Sequence, residues 1–169
     1  MTAFLELAKA RYSVRKYKPA PVEQEKLEKI LEAGRVAPTA HNNQPHRIKV
    51  LTDAGDLAKM DGCTRCRFGA PAALLICYDK NESWKRSFDG ADSGEVDASI
   101  ITTHMMMEAQ DLGLGTCWVM YFDPAKTIEA FALPEHIVPL AFLPLGYPAD
   151  DAAPGPMHGE RLALEEILL

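Results

Sequence analysis

The stretch Ser93–Asp123, SGEVDASIITTHMMMEAQDLGLGTCWVMYFD, decides the fold class. Its first part predicts a helix from about Gly94 to Leu112, with Asp92 and Glu95 at capping-box spacing and Gly113 placed to end it. Val96, Ile100, Ile101, Met105, Met106, Met107 and Leu112 leave little polar face, so this helix is expected to be mostly buried. TCWVM, from Thr116, then predicts a strand. The order matters, because GLGTCW (Gly113–Trp118) begins like a dinucleotide-binding fingerprint. That fingerprint follows a strand and opens a helix. Here a helix precedes and a strand follows, and Trp118 stands where the third glycine belongs. A Rossmann-type sheet is thereby set aside.

Working outward, AALLICY (Ala72–Tyr78) is a continuous apolar run, the pattern of a central strand covered on both faces. VPLAFLPLGY, from Val138, predicts another strand, with Pro139 and Pro144 pointing to an edge or a bulge. RIKVL, from Arg47, alternates as a strand. Helices are predicted over Ala3–Ala10 with Thr2 as N-cap, over the segment after Pro21 as far as about Ala37, over DAGDLAKM from Asp53, and over DPAKTIEAFAL, where Asp123 is the N-cap and Pro124 the first helical residue. The mixture is α+β, helices flanking a modest sheet. No repeat or linker divides the chain, so residues 1–169 read as one domain.

The chain carries 18 Lys+Arg against 24 Asp+Glu, a net charge of −6. That balance argues against nucleic acid as a partner, since a phosphate backbone wants a basic face. The longest apolar run, Ile137–Tyr147, has 11 residues and two internal prolines, against the roughly 20 that a membrane-spanning helix needs. The N-terminus lacks the pattern of a secretory signal. No membrane association and a cytoplasmic location are the expectation, which leaves the sequon at Asn81 without meaning. Cys77 and Cys117 read as small core hydrophobes. Cys63 and Cys66 form a C-x-x-C, but no second ligand pair supports zinc and no strand-to-helix context supports redox chemistry, so they read as ordinary loop cysteines. No metal is expected. His104, one turn before Glu108, reads as a buried polar contact rather than a catalytic pair.

Charge is uneven. From Leu7 to Val22 there is no acid, while Lys9, Arg11, Arg15, Lys16 and Lys18 all fall inside. Such a run either faces solvent or holds an anion. Arg11, Ser13 and Arg15 would share one side of an extended segment, compatible with tracking an elongated anionic ligand. From Tyr147 onward Arg161 is the only Lys or Arg, and Leu162, Leu164, Ile167, Leu168 and Leu169 need burial. The simplest cover for that tail is its own core or a neighbouring subunit.

Phosphate-loop, H-E-x-x-H and G-x-S-x-G motifs are absent. Four pieces, in order, resemble the nitroreductase family of flavin enzymes: RYSVRKY from Arg11, APTAHNNQPH from Ala37, GLGTCWVMYFD from Gly113, and LPLGYP followed by ERLALEEI. The resemblance covers nearly the whole chain. It implies a nitroreductase-like α+β fold with a mainly antiparallel sheet, and an obligate homodimer that exchanges C-terminal segments and holds FMN at its interface. Carried over, Arg11, Tyr12 and Ser13 would bind the phosphate and ribityl chain, with Arg15 near N1 and O2 of the ring. Pro38, Thr39, Ala40, Asn42 and Gln44 would come from the other subunit. Cys117, Trp118 and Val119 would bring backbone near N5 and O4, and Arg161 would return to the phosphate.

Chemistry favours parts of this independently. Arginine offers a phosphate dianion a planar fork, and a fixed cation near N1 stabilises the charge a reduced flavin gains there. Asn42 and Gln44 also fit a plain turn, and Trp118 and Phe122 also fit core packing. The sequence departs from the family pattern at Thr39–Ala40, where paired serines are frequent, at His46, where Trp is frequent, and at Met120–Tyr121. The resemblance implies a ping-pong oxidoreductase passing electrons from NADH or NADPH to a small-molecule acceptor, nitroaromatic or quinone by default. A specialised enone reductase, dehalogenase or flavin-fragmenting enzyme, or a non-catalytic FMN carrier or sensor, stays open beside it.

Overall fold

The computed structural model describes residues 3–169; Thr2, the expected cap of the first helix, lies outside the described residues. The elements run α1 (Ala3–Ala10), α2 (Gln24–Arg35), β1 (His46–Leu51), α3 (Ala54–Cys63), β2 (Ala72–Asp79), α4 (Gly94–Asp111), β3 (Gly115–Thr116), α5 (Pro124–Ala130) and β4 (Ile137–Gly146). The strands form one sheet in the order β1-β2-β4-β3, and every ladder is antiparallel.

All eight residues of β2 are buried, as the unbroken apolar run requires. Alternate side chains enter two cores. Leu74, Ile76 and Tyr78 meet α2 and α4 through Ile30, Ile101 and Met105. Leu75 and Cys77 meet Met60 of α3 and Phe142, whose ring takes Phe122 edge-on at 5.4 Å. Gly34 lets α2 and α4 close: a Cβ there would lie 2.9 Å from Met105.

The prolines of β4 act as a bulge and a break. Pro139 sits at the register shift, where Cys77 faces Pro139 but Ile76 faces Ala141. Far from being an edge, β4 lies inside the sheet. Pro144 instead cuts short its neighbour. Val119 and Phe142 exchange both backbone hydrogen bonds, at 2.9 and 3.0 Å, and Cys117 donates to the Pro144 carbonyl at 3.3 Å. Pro144 has no N–H to return. The expected TCWVM strand therefore shrinks to Gly115–Thr116 plus an isolated bridge at Val119.

Three other expectations change. Ser93, rather than Asp92, occupies the cap position of α4; Asp92 Oδ1 accepts the Gly94 N–H at 2.8 Å. Helix α4 is buried on one side only, against α2 and the sheet, and Val96 is 60% exposed on the other. His104 is on that open side, its Nδ1 donating to the Ile100 carbonyl at 2.9 Å. The tail does not pack on its own core: Leu162, Leu164, Ile167 and Leu168 stay exposed. Among the described residues no helix is long and apolar enough to cross a membrane.

Candidate active site

The basic segment is held as an extra, partial strand. Ser13 bridges Thr116 in parallel, and Val14 N–H donates to the Thr116 carbonyl at 2.9 Å. Val14 is 1% exposed and plugs the space over Gly115, where a Cβ would lie 2.4 Å from its Cγ2. With Val14 pinned inward, Ser13 and Arg15 turn the other way. Arg11, Tyr12, Ser13 and Arg15 line one wall of a cleft of about 420 Å³, and Gly155–His158 line the facing wall.

Charge within the segment is sorted. Lys16 pairs with Asp151 and Lys18 with Asp150, each at 2.6 Å. Among the described residues no carboxylate pairs with Arg11 or Arg15; Arg15 Nη1 only donates to the Ser13 carbonyl at 3.3 Å. The outer lysines are thus surface ion pairs, while the cleft keeps two guanidiniums and a hydroxyl for an incoming anion. Burial pushes the nearby Cys117 thiol up, against the opposing pull of Arg15, a Ser13 hydrogen bond and Arg11. Arg161 donates through Nη1 to the carbonyls of His158 and Glu160, at 2.7 and 2.6 Å, bracing the turn beside the cleft.

Thr39–Gln44 form the second group. Ala40 N–H donates to Asp97 Oδ1 at 2.8 Å, and the Ser93 hydroxyl donates to Asp97 Oδ2 at 2.7 Å. Asp97 is only 2% exposed, so this carboxylate in the first turn of α4 ties the loop down from inside. His41 stacks on Trp84 with ring centroids 5.4 Å apart, and Asn43 Nδ2 donates to the Glu82 carbonyl at 2.9 Å. The fastening holds an unusual backbone: His41, Asn42 and Gln44 have φ of 52°, 57° and 51°. Left-handed non-glycine residues cost on the order of 1 kcal/mol each, and Asn42 tolerates that geometry best. Pro38, Asn42 and Gln44 are exposed, and Thr39 Oγ1 accepts the Gln44 N–H at 3.1 Å.

These groups sit at opposite ends of the sheet. Ser13 adjoins Thr116, which faces Leu145 and through it Ala72 at the start of β2. The loop enters β1 at His46, which faces Tyr78 at the far end of β2. Six residues of strand separate them, about 20 Å at 3.4 Å per residue. One chain does not bring Arg11–Arg15 and Pro38–Gln44 around a single small ligand. Cys117 and Val119 point into the α3 and α5 core, whereas Trp118 packs, half-buried, toward α2 and α4.

This arrangement, a sheet of order β1-β2-β4-β3 with a basic partial strand beside β3, superposes on solved structures of a known family. The profile of the Nitroreductase family matches residues 8–62 and 61–147. The chain belongs to the nitroreductase family. A solved structure of a nitroreductase family protein from Clostridium difficile 630 superposes with a TM-score of 0.93 at 40% identity, covering 100% of this chain and 98% of that one. An FMN-dependent nitroreductase from Clostridium difficile R20291 gives a TM-score of 0.75 at 28% identity over 87% of this chain and 88% of its own. A protein of Methanothermobacter thermautotrophicus, provisionally named NADH dehydrogenase/NAD(P)H nitroreductase, is 31% identical over 156 residues, 87% of this chain and 78% of its own.

Sequence reasoning passed over Gly115, Asp97, Trp84 and His158. Gly115 and Asp97 carried a local signal: a glycine entering a strand, and a second carboxylate, beside Glu95, in the first turn of the expected helix. Trp84 and His158 matter through contacts that no spacing reveals.

Proposed function

We propose that the chain is an FMN-dependent NAD(P)H oxidoreductase that passes electrons to nitroaromatic, quinone or related acceptors in a ping-pong cycle. It works as a cytoplasmic homodimer whose subunits, each one FMN-binding domain, share two sites. The observation that carries this reading is the cleft where Arg11, Ser13 and Arg15 converge with no carboxylate among the described lining residues, in a chain of this family. The residues fit FMN: the phosphate dianion matches the Arg11 guanidinium fork with the Ser13 hydroxyl, Arg15 is left for the ring, and the 420 Å³ cleft accommodates the arm that carries the phosphate. When bound, FMN supplies the hydride chemistry between donor and acceptor.

The chain's own residues bind and orient. Arg11 and Ser13 take the phosphate and sugar-alcohol arm, with Tyr12 on the same wall, and Arg15 places a fixed positive charge beside the ring. Cys117–Val119 supply backbone along the ring edge, and Arg161 reinforces the phosphate end. Pro38, Thr39, Ala40, Asn42 and Gln44 reach the partner's flavin from the other end of the sheet. The separation of about 20 Å between the half-sites favours sharing between two subunits. So do the exposed apolar tail and the groove of about 330 Å³ between α1, α2 and α4, lined by Phe4, Leu7, Val36 and Met107. A second copy covers both.

The test is a visible spectrum of the purified protein before and after anaerobic NADH or NADPH, followed by reoxidation with nitro compounds, quinones and enones. Yellow bands that bleach and return with an acceptor are the expected result. Colour that neither donor bleaches makes the protein a flavin carrier, and a colourless protein that refuses added FMN overturns the reading.

A further inference from the structure

The wall of the cleft opposite the arginines is built from the C-terminal part of the chain. Gly155–His158 close into a tight turn in which His158 N–H donates to the Gly155 carbonyl at 2.9 Å and Glu160 N–H to the Met157 carbonyl at 3.1 Å. Pro156, Met157, His158 and Gly159 bring no acid to the cleft, whereas Asp150 and Asp151, just before, are spent on Lys18 and Lys16. No described residue lining the cleft therefore brings a negative charge against an anion between Arg11 and this turn.

One side chain of the turn ties it to the end of α1. His158 Nε2 lies 3.2 Å from the carbonyl oxygen of Lys9, across 149 positions of sequence. A carbonyl can only accept, so Nε2 carries the proton and donates. The same ring meets Tyr12 edge to face, with centroids 6.2 Å apart and planes at 71°. Arg161 braces the turn from behind through the His158 carbonyl at 2.7 Å. By contrast, Leu162 and Leu164, just beyond, remain exposed. The tail is thus fastened to its own subunit at the cleft.

We infer that His158 is a residue of the flavin-phosphate site: its bond to the Lys9 carbonyl holds the Gly155–His158 turn as a strap across the phosphate arm, opposite Arg11 and Ser13. This rests on the FMN reading above. His158 acts through the turn, so it is a positioning residue, and its effect is confined to ligands that carry the phosphate.

The test compares FMN with riboflavin, which lacks the phosphate, by fluorescence titration and release kinetics in wild type, His158→Ala and His158→Gln. His158→Ala lowers FMN affinity about tenfold, the scale of one lost hydrogen bond, and speeds FMN release. Its riboflavin affinity stays at the wild-type value. His158→Gln, whose amide can donate to the Lys9 carbonyl, recovers most of the FMN preference. Equal weakening of both flavins by His158→Ala, or no change in either, overturns the inference while leaving the FMN reading standing. A wild-type protein that binds neither flavin overturns both.

Discussion

The two ends of the sheet solve opposite problems. At the end beside Thr116, a basic segment is laid along existing backbone, pinned by Val14 over Gly115, and its arginines have no carboxylate partner among the described residues. At the end beside His46, no strand supports the loop; three left-handed residues are held by Asp97, Trp84 and Glu82. One end exposes charge on a relaxed backbone, and the other fastens a strained backbone that exposes little charge. Binding an anion needs fixed cations in a firm frame, whereas shaping a wall for a flat ring needs backbone in unusual directions. On the proposed reading, the difference teaches that affinity and shape are supplied by separate parts of this chain.

The sharpest break would come at the cation end. Arg11→Ala should weaken FMN binding about 100-fold, the cost of a charge-assisted hydrogen bond to phosphate, read by flavin fluorescence. Affinity at the wild-type level would move the anion site elsewhere. Gly115→Ala should reach the same end through the scaffold, because its Cβ would press on Val14 at 2.4 Å. A loss of about 2–3 kcal/mol in urea unfolding is expected, together with weaker FMN binding as Ser13 and Arg15 shift.

At the loop end, Asp97→Ala strands the Ala40 N–H and the Ser93 hydroxyl, at about 2 kcal/mol of stability. In the proposed shared site this loop meets the partner's flavin ring rather than its phosphate, so the preference for FMN over riboflavin should be untouched; a changed preference would erase the distinction between the two ends. The smallest effect runs the other way. His46 Nδ1 is buried without a hydrogen-bond partner, and burial pushes the imidazole below its ordinary value, aided by Arg47 and opposed by Asp97. His46→Phe should stabilise the fold by about 1 kcal/mol at pH 7. The unfolded chain takes up this proton first, so wild-type stability drains as pH falls through the ordinary histidine range near 6.5. The advantage of the phenylalanine variant should therefore widen between pH 7 and pH 5 in thermal unfolding; a constant difference would mean that His46 titrates as it does in the open chain.

Much of the scaffold was legible because burial writes itself into composition. The Ala72–Tyr78 run could only be an inner strand, and Asp123 with Pro124 marked the start of α5, where Asp123 Oδ1 indeed accepts the Lys126 N–H. The misreadings share a cause. The length of β3 depends on a missing N–H in another strand, at Pro144, and the open face of α4 on what α2 fails to cover. Both are pairwise facts that one segment does not contain. Of the site, the arginines were visible as an acid-free run, but their separation from Lys16 and Lys18 was not, since it depends on Asp150 and Asp151 arriving from the far end of the chain.

The distance between the two ends has a genetic consequence. Within one subunit, contributions from positions this far apart add independently, so on the proposed reading the loop at Thr39–Gln44 can change without disturbing the phosphate grip of its own chain. If the sites are shared as proposed, moreover, a chain spoiled at Arg11 and a chain spoiled at Asn42 would not be equally defective in company. In the proposed homodimer, pairing them with each other would rebuild one sound site from two broken ones, and two inactive alleles would yield an active cell.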